Sequence, residues 1–206
     1  RGLAELEAMG VEPGFKFVCF HVRDGLYAYQ VRPRMVSLYG DWVEQPHRNA
    51  SMSNSLLAAD RLTELGYFVI RMGQWSEEPI VHENPKVIDY ATKFHSDFMD
   101  PYLSARCEFF IGTNCGMTTI PIVYRTPLAL VNVVPYTEIV VCGTKDIYIP
   151  KKFYSATEDR LLTFREVLST PLLCDYTGKF TDDSKAYYDA ISLEIQENSP
   201  EEIAGL

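Results

Sequence analysis

The chain is short of positive charge. Of its 206 residues, nineteen are Lys or Arg against twenty-eight Asp or Glu, a net charge of −9. Binding a nucleic-acid backbone needs a basic face, so the balance argues against nucleic acid as a partner. A small phosphorylated ligand needs only a few local donors and is not excluded. No apolar run approaches the roughly 18 residues of a membrane-spanning helix, and no signal peptide is visible. No G-x-G-x-x-G follows the first apolar run, which disfavours a dinucleotide dehydrogenase, and neither a P-loop nor a G-x-S-x-G turn occurs. Histidine is scarce and scattered (His21, His47, His82, His95), and Asp182-Asp183 lies in a polar stretch, so no metal cluster is evident and no metal or cofactor is expected. The five cysteines form no C-x-x-C pair, and three lie in or beside apolar runs. That is the habit of reduced, buried thiols, and it leads us to expect a cytoplasmic protein.

Hydrophobic residues, by contrast, make up 47% of the chain, enough for a substantial core. From Phe15 onward the pattern alternates strand and helix. Short β-forming runs suited to burial on both faces occur at 16–22, 67–73, 86–91, 108–113 and 128–134. Helical spacing marks 51–66, which ends at Gly66, then 96–107 and 116–125. The stretch 24–50 reads as irregular. Later, 158–168 and 181–190 read as helical and 191–196 as a strand. Strand–helix–strand repetition at this spacing predicts an α/β, Rossmann-like parallel sheet with helices on both faces and ligands at the carboxyl ends of the strands. We read residues 1–206 as one domain.

Both ends read as cut. The chain starts without Met, on helical turns that stop at Gly10. Near the other end, Ser199-Pro200-Glu201-Glu202 is a helix start with Ser as N-cap, Pro in first position and Glu in third. The expectation is a domain excised from a longer chain.

Polar residues follow each predicted strand and converge on one edge of a parallel sheet. They are His21, Arg23 and Asp24 after the first, Arg71 and Gly73 after the second, Asp89 and Tyr90 around the third, and Thr113, Asn114, Cys115 and Gly116 after the fourth. In "EFFIGTNCGMTTIP" (108–121) a strand meets a helix start, where free backbone N–H groups and the helix dipole make an anion site. Gly116 admits close approach, the N–H groups reach Met117 and Thr118, and the hydroxyls of Thr113 and Thr118 are donors. A plain turn capped by Asn114 is the competing reading. A third reading makes Cys115 a nucleophile with His21 as its base, although both glycines of the G-x-C-x-G elbow are missing. In "FHVRDG", Arg23 suits a diphosphate clamp because its planar fork binds phosphate oxygens bidentately. The alternatives are a surface arginine paired with Asp24, and a core position for His21. In "HRNAS" (47–51), Arg48 and Asn49 stand before a helix, either as phosphate or sugar contacts or as part of a capped polar loop.

Taken together, "FHVRD", "HRNAS", "GYFVIRMG", "VIDYA", "CEFFIGTNCGM" and "YIPKK" resemble the successive motifs of a bacterial glycosyltransferase family, which read H-x-R-[DE], R-N-[SA], V-I-R-M-G, D-Y and F-[IF]-G-T-[ST]-S-G. The resemblance covers nearly the whole chain. It implies the C-terminal, nucleotide-sugar-binding half of a GT-B enzyme. Such a half would bind an NDP-sugar without a metal, act with an N-terminal domain that is missing here, and serve a glycan or lipid-linked acceptor. A fainter likeness to GDP-fucose-dependent fucosyltransferases would place Arg23 on the donor's β-phosphate. With no metal, Arg23 and the 114–118 turn would hold the developing diphosphate charge, with help from Arg48. The Arg71–Gly73 turn, Asp89 and Tyr90 would be base and ribose contacts, and Asp24 a local candidate for catalytic base. The chain departs from the pattern at Asn114-Cys115, where Thr/Ser-Ser is usual, so a thiol replaces a better hydroxyl donor.

Overall fold

The computed structural model describes residues 1–39, 46–76, 79–136, 143–169 and 189–206. Six strands form one parallel sheet in the order β3-β2-β1-β4-β5-β6. They are β1 (Phe17–His21), β2 (Phe68–Arg71), β3 (Val87–Asp89), β4 (Phe110–Gly112), β5 (Leu128–Val133) and β6 (Ile147–Pro150). This is an α/β fold with Rossmann-like strand order. The chain builds outward from β1 to β3 on one side, then returns beside β1 with β4 and builds the other way. The strand order therefore reverses between β1 and β4, where such sheets open a crevice.

The strands alternate between two cores, as a doubly covered sheet requires. Phe17, Cys19, Phe68, Ile70, Phe110 and Leu130 face one side, packed by Leu6 and Met9 at α1 (Gly2–Ala8) and by Met99 and Leu103 of α6 (Met99–Arg106). Val18, Phe20, Val69, Ile111 and Val131 face the other, under Ala58 and Ala59 of α4 (Leu56–Glu64) and Ile203 of α9 (Pro200–Ala204). A second, antiparallel sheet follows Pro150: β7 (Lys152–Ser155) lies between β8 (Arg160–Leu161) and β9 (Leu193–Gln196). The two sheets are tied at Asn132 and Asn198. Each donates its backbone N–H to the other's side-chain oxygen at 2.6 Å.

The five expected parallel strands are present, and the Ser199 start is a full capping box, with Glu202 N donating to Ser199 Oγ at 3.2 Å and Ser199 N to Glu202 Oε2 at 2.8 Å. Several expectations are corrected. The irregular stretch 24–50 contains α2 (Leu26–Val31) and α3 (Pro33–Tyr39), broken at Arg32 because Pro33 starts a new helix. The third strand ends at Asp89, and Tyr90 already begins α5 (Tyr90–Lys93). The helix read over 158–168 is in part strand: β8 comes first, and α8 starts only at Phe164 (Phe164–Ser169). β6 was not anticipated. Most of the helix expected over 181–190 lies outside the described residues. The helix of 116–125 is a 3-10 turn, Gly116–Thr118, followed by the short α7 (Thr119–Tyr124).

Gly112 closes β4 against His21, its register partner. A Cβ there would stand 2.9 Å from the Phe110 ring and 3.1 Å from the His21 carbonyl oxygen. We expect Gly112→Ala to destabilise the fold by about 1–3 kcal/mol, the cost of overpacking. Urea unfolding checks this, and an unchanged midpoint would show that the strands part freely.

Candidate functional site

The loop after β1 is built into the carboxyl edge of the sheet. The backbone N–H of Arg23 donates to Thr113 Oγ1 at 2.9 Å, just past β4, and the Arg23 carbonyl accepts from Ala50 N at 3.0 Å. The Arg23 guanidinium meets Asn49 Oδ1. Arg48 reaches across to the Asn114 carbonyl at 2.7 Å. Asn114 is fixed in turn by its side-chain amide, which donates to the Val134 carbonyl at 3.1 Å. Buried Lys151, at the junction of the two sheets, donates to the Asn49 carbonyl. Sequence positions far apart are thereby drawn into one polar seam at the strand-order reversal.

The seam borders a cavity of about 740 Å³. His21, Arg23, Asp24, Arg48, Gly73, Cys115, Gly116 and Met117, all named from the sequence, line it. Tyr27, Trp75 and Asp100 also line it and were not anticipated, because each stood in a stretch whose only visible signal was helix or loop. The Tyr27 and Trp75 rings meet with centroids 5.9 Å apart. Gly73 takes φ of +129°, and a Cβ there would lie 3.6 Å from the His21 ring. Asp24 also accepts the Leu26 N–H at 3.1 Å, which holds the start of α2.

Of the other predicted residues, Asn49, Thr113, Asn114 and Thr118 belong to the polar seam and turn behind the wall, and Arg71, Asp89 and Tyr90 stand apart from it. Arg71 and Asp89 form a buried ion pair at 3.4 Å, and Asp89 also accepts from Ile80 N at 2.9 Å and Thr92 Oγ1 at 2.6 Å. Tyr90 is wholly buried. Its hydroxyl lies 2.8 Å from Asp100 Oδ1 and 2.9 Å from the Ser96 carbonyl, so it touches the cavity only through Asp100.

The electrostatics are set by crowded cations. Burial and then Arg48 press the Arg23 guanidinium below its ordinary range. Burial lowers Lys151, with Glu197 opposing and Arg23 adding to the effect. His47, missed in the sequence, is held down at about 4 by burial and then by Arg48, Arg23 and Lys151. Four basic side chains thus share one corner of a chain whose net charge is −9. Near neutral pH His47 is uncharged, so the positive field comes from Arg23, Arg48 and Lys151 rather than from a helix dipole, since the element after Cys115 is only a 3-10 turn and a short helix.

The His47 value has a consequence for stability. Between the ordinary 6.5 and about 4, the unfolded chain binds a proton that the folded chain refuses. Stability therefore falls as pH drops through that window. We expect a loss of about 2–3 kcal/mol between pH 7 and 4.5 from this group. Urea unfolding of native protein and His47→Gln at the two pH values isolates it: the variant should lose less. Equal losses would remove His47 from the cationic corner.

Cys115 lies at the mouth of the 3-10 turn, its Sγ 3.4 Å from His21 Nδ1. Burial alone would raise its pKa, but His21 and the N–H groups of Thr118 and Met117 pull it down to about 7. His21 shifts the opposite way: burial lowers it, and Cys115 and Asp24 outweigh that and raise it. Cys19 and Cys107 are also free but buried, and Cys142 and Cys174 lie outside the described residues. Among the described residues, no group of three or more His, Cys, Asp or Glu is arranged to hold a metal ion, and no helix is long and apolar enough to cross a membrane.

Compared with protein-family models, curated proteins and solved structures, the chain matches none.

Proposed function

We propose that the chain binds a nucleoside diphosphate sugar in this cleft and serves as the donor-binding part of a GT-B-type glycosyltransferase. The observation that carries the reading is the convergence of the cations Arg23, Arg48 and Lys151 where the strand order reverses, burial and their crowding together holding neighbouring His47 neutral, against an overall charge of −9. Burial of several cations together costs free energy unless a bound anion compensates. A diphosphate, with its paired oxygens, suits the planar Arg23 and Arg48 forks.

In the proposed reaction an acceptor hydroxyl attacks the anomeric carbon of the donor, a new C–O bond forms, and the bond to the β-phosphate oxygen breaks. The nucleoside diphosphate leaves with the electron pair. Arg23 and Arg48 stabilise the negative charge that develops on that leaving group, which is the contribution a fixed cation makes to such a transition state. Asp24, on the cavity wall, is within the chain the local candidate to take the acceptor's proton. The acceptor reads as a glycan or a lipid-linked sugar, supplied from the side of the cleft opposite this sheet.

A second reading rests on one distance. The 3.4 Å approach of Cys115 Sγ to His21 Nδ1, with the thiol pulled down to about 7, is the geometry of a cysteine nucleophile beside its base. It predicts a cysteine-dependent hydrolase or amidotransferase. The two readings separate on thermal shift: a screen of UDP-, GDP-, dTDP- and CMP-sugars should raise Tm for at least one donor if the first holds, because a ligand bound only by the native state stabilises it. No shift with any of them, together with loss of activity on iodoacetamide treatment, would favour the second.

A further inference from the structure

Lys151 is a buried charge that the proposed reaction does not use directly: it is 3% exposed and lies in the connection between the two sheets. Its ammonium donates to the Asn49 carbonyl, and the Asn49 side-chain oxygen receives the Arg23 guanidinium. The Lys151 backbone is itself anchored on both sides, its N–H donating to the Val133 carbonyl at 3.1 Å and its carbonyl accepting from Tyr136 Oη at 2.6 Å. The order of contacts is therefore β5 of the parallel sheet, Lys151, Asn49, Arg23, cleft.

We propose that Lys151 is a positioning residue for anion binding: it fixes Asn49, and Asn49 holds the Arg23 fork at the angle a diphosphate requires. The inference rests on the proposed function, since it presupposes that Arg23 meets an anion. It adds that Lys151, in the connection between the two sheets and off the cavity wall, takes part in binding. The physical basis is pre-organisation. A long arginine chain loses rotamer freedom when it binds, and a partner that already holds it removes that cost from the binding step.

Lys151 also carries a charge, so two mechanisms must be separated. A direct Coulombic contribution acts on the anion whatever Arg23 does. A positioning contribution acts only through Arg23. The probe is inorganic pyrophosphate, titrated calorimetrically into native protein, Lys151→Met, Arg23→Ala and the double variant. Lys151→Met should weaken binding about tenfold, the scale of one hydrogen bond made ready in advance. In the Arg23→Ala background the same change should have almost no further effect. Lys151→Arg, which keeps a donor and a charge, should restore most of the affinity. Asn49→Ala, which leaves the backbone carbonyl for Lys151 but removes the contact to Arg23, should reproduce the loss. It also serves as the second variant if Lys151→Met fails to fold by circular dichroism. Equal losses from Lys151→Met with and without Arg23 would overturn the positioning role in favour of charge alone. Native affinity in both Lys151→Met and Asn49→Ala would overturn any role. Failure of the native protein to bind pyrophosphate or any nucleoside diphosphate would overturn the proposed function and this inference with it, an outcome distinct from the other two.

Discussion

Arg23→Ala weakens nucleoside diphosphate binding by about 1.5–3 kcal/mol, roughly ten- to a hundredfold, the range for a hydrogen bond to a charged group. The loss should fall on affinity and not on folding. The backbone of Arg23 does the structural work in the loop, through its N–H to Thr113 Oγ1 and its carbonyl from Ala50, and both bonds survive truncation of the side chain. Removing the guanidinium also relieves the crowding that depresses His47 and Lys151, so the unliganded variant should be at least as stable as the native protein near neutral pH. Calorimetric titration beside a urea unfolding curve checks both halves. An unchanged Kd would remove Arg23 from the site.

Cys115 yields the second large effect, and its sign depends on the substitution. A serine there keeps a hydrogen-bonding group beside the N–H groups of Met117 and Thr118, and a neutral hydroxyl donates to an anion better than a thiol does. Cys115→Ser should therefore preserve or tighten diphosphate binding. Cys115→Asp should abolish it, because a fixed carboxylate would occupy the turn and repel the ligand across a few ångströms. The native thiol supplies a matching pH signature. With the thiol pulled down to about 7 by His21 and the turn's N–H groups, iodoacetamide should label Cys115 at a rate that rises through about pH 7, well below an ordinary thiol's midpoint. Bound diphosphate should slow the labelling. If Cys115→Ser instead destroys activity while the fold stays intact by circular dichroism, the nucleophile reading replaces the glycosyltransferase one at this position.

The sheet was legible because burial on both faces leaves a mark: "KFVCFHV", "YFVIRMG" and "LALVNVV" are apolar without alternation, and all three contain strands of the parallel sheet. β6 escaped because "DIYIP" is short and half exposed, with no continuous apolar run to announce it. The helices α2 and α3 escaped because Gly25 and Pro33 read as breakers, whereas Pro33 in fact starts a helix. Much of the cavity wall followed from asking what stands after each strand, which places residues at one edge but not their side chains. That limit explains Arg71 and Asp89. Both come at strand ends, yet their opposite charges pair in the interior, and no sequence distance reveals an ion pair 18 residues apart. His47 and Lys151 stood within "HRNAS" and "YIPKK", yet nothing in the sequence set them beside Arg23. Lys151 reaches Arg23 through Asn49, and His47 stands in the 46–51 loop whose Ala50 N–H bonds the Arg23 carbonyl.

The central claim, that this cleft is built for a nucleoside diphosphate, is tested most directly by titrating UDP, GDP and dTDP into the native chain by calorimetry at pH 7, with Arg23→Ala as the control. The proposed function predicts saturable one-to-one binding of at least one of the diphosphates, lost or greatly weakened in the control. Native protein that is folded and binds none of them, or binds one equally well without the Arg23 side chain, would contradict it.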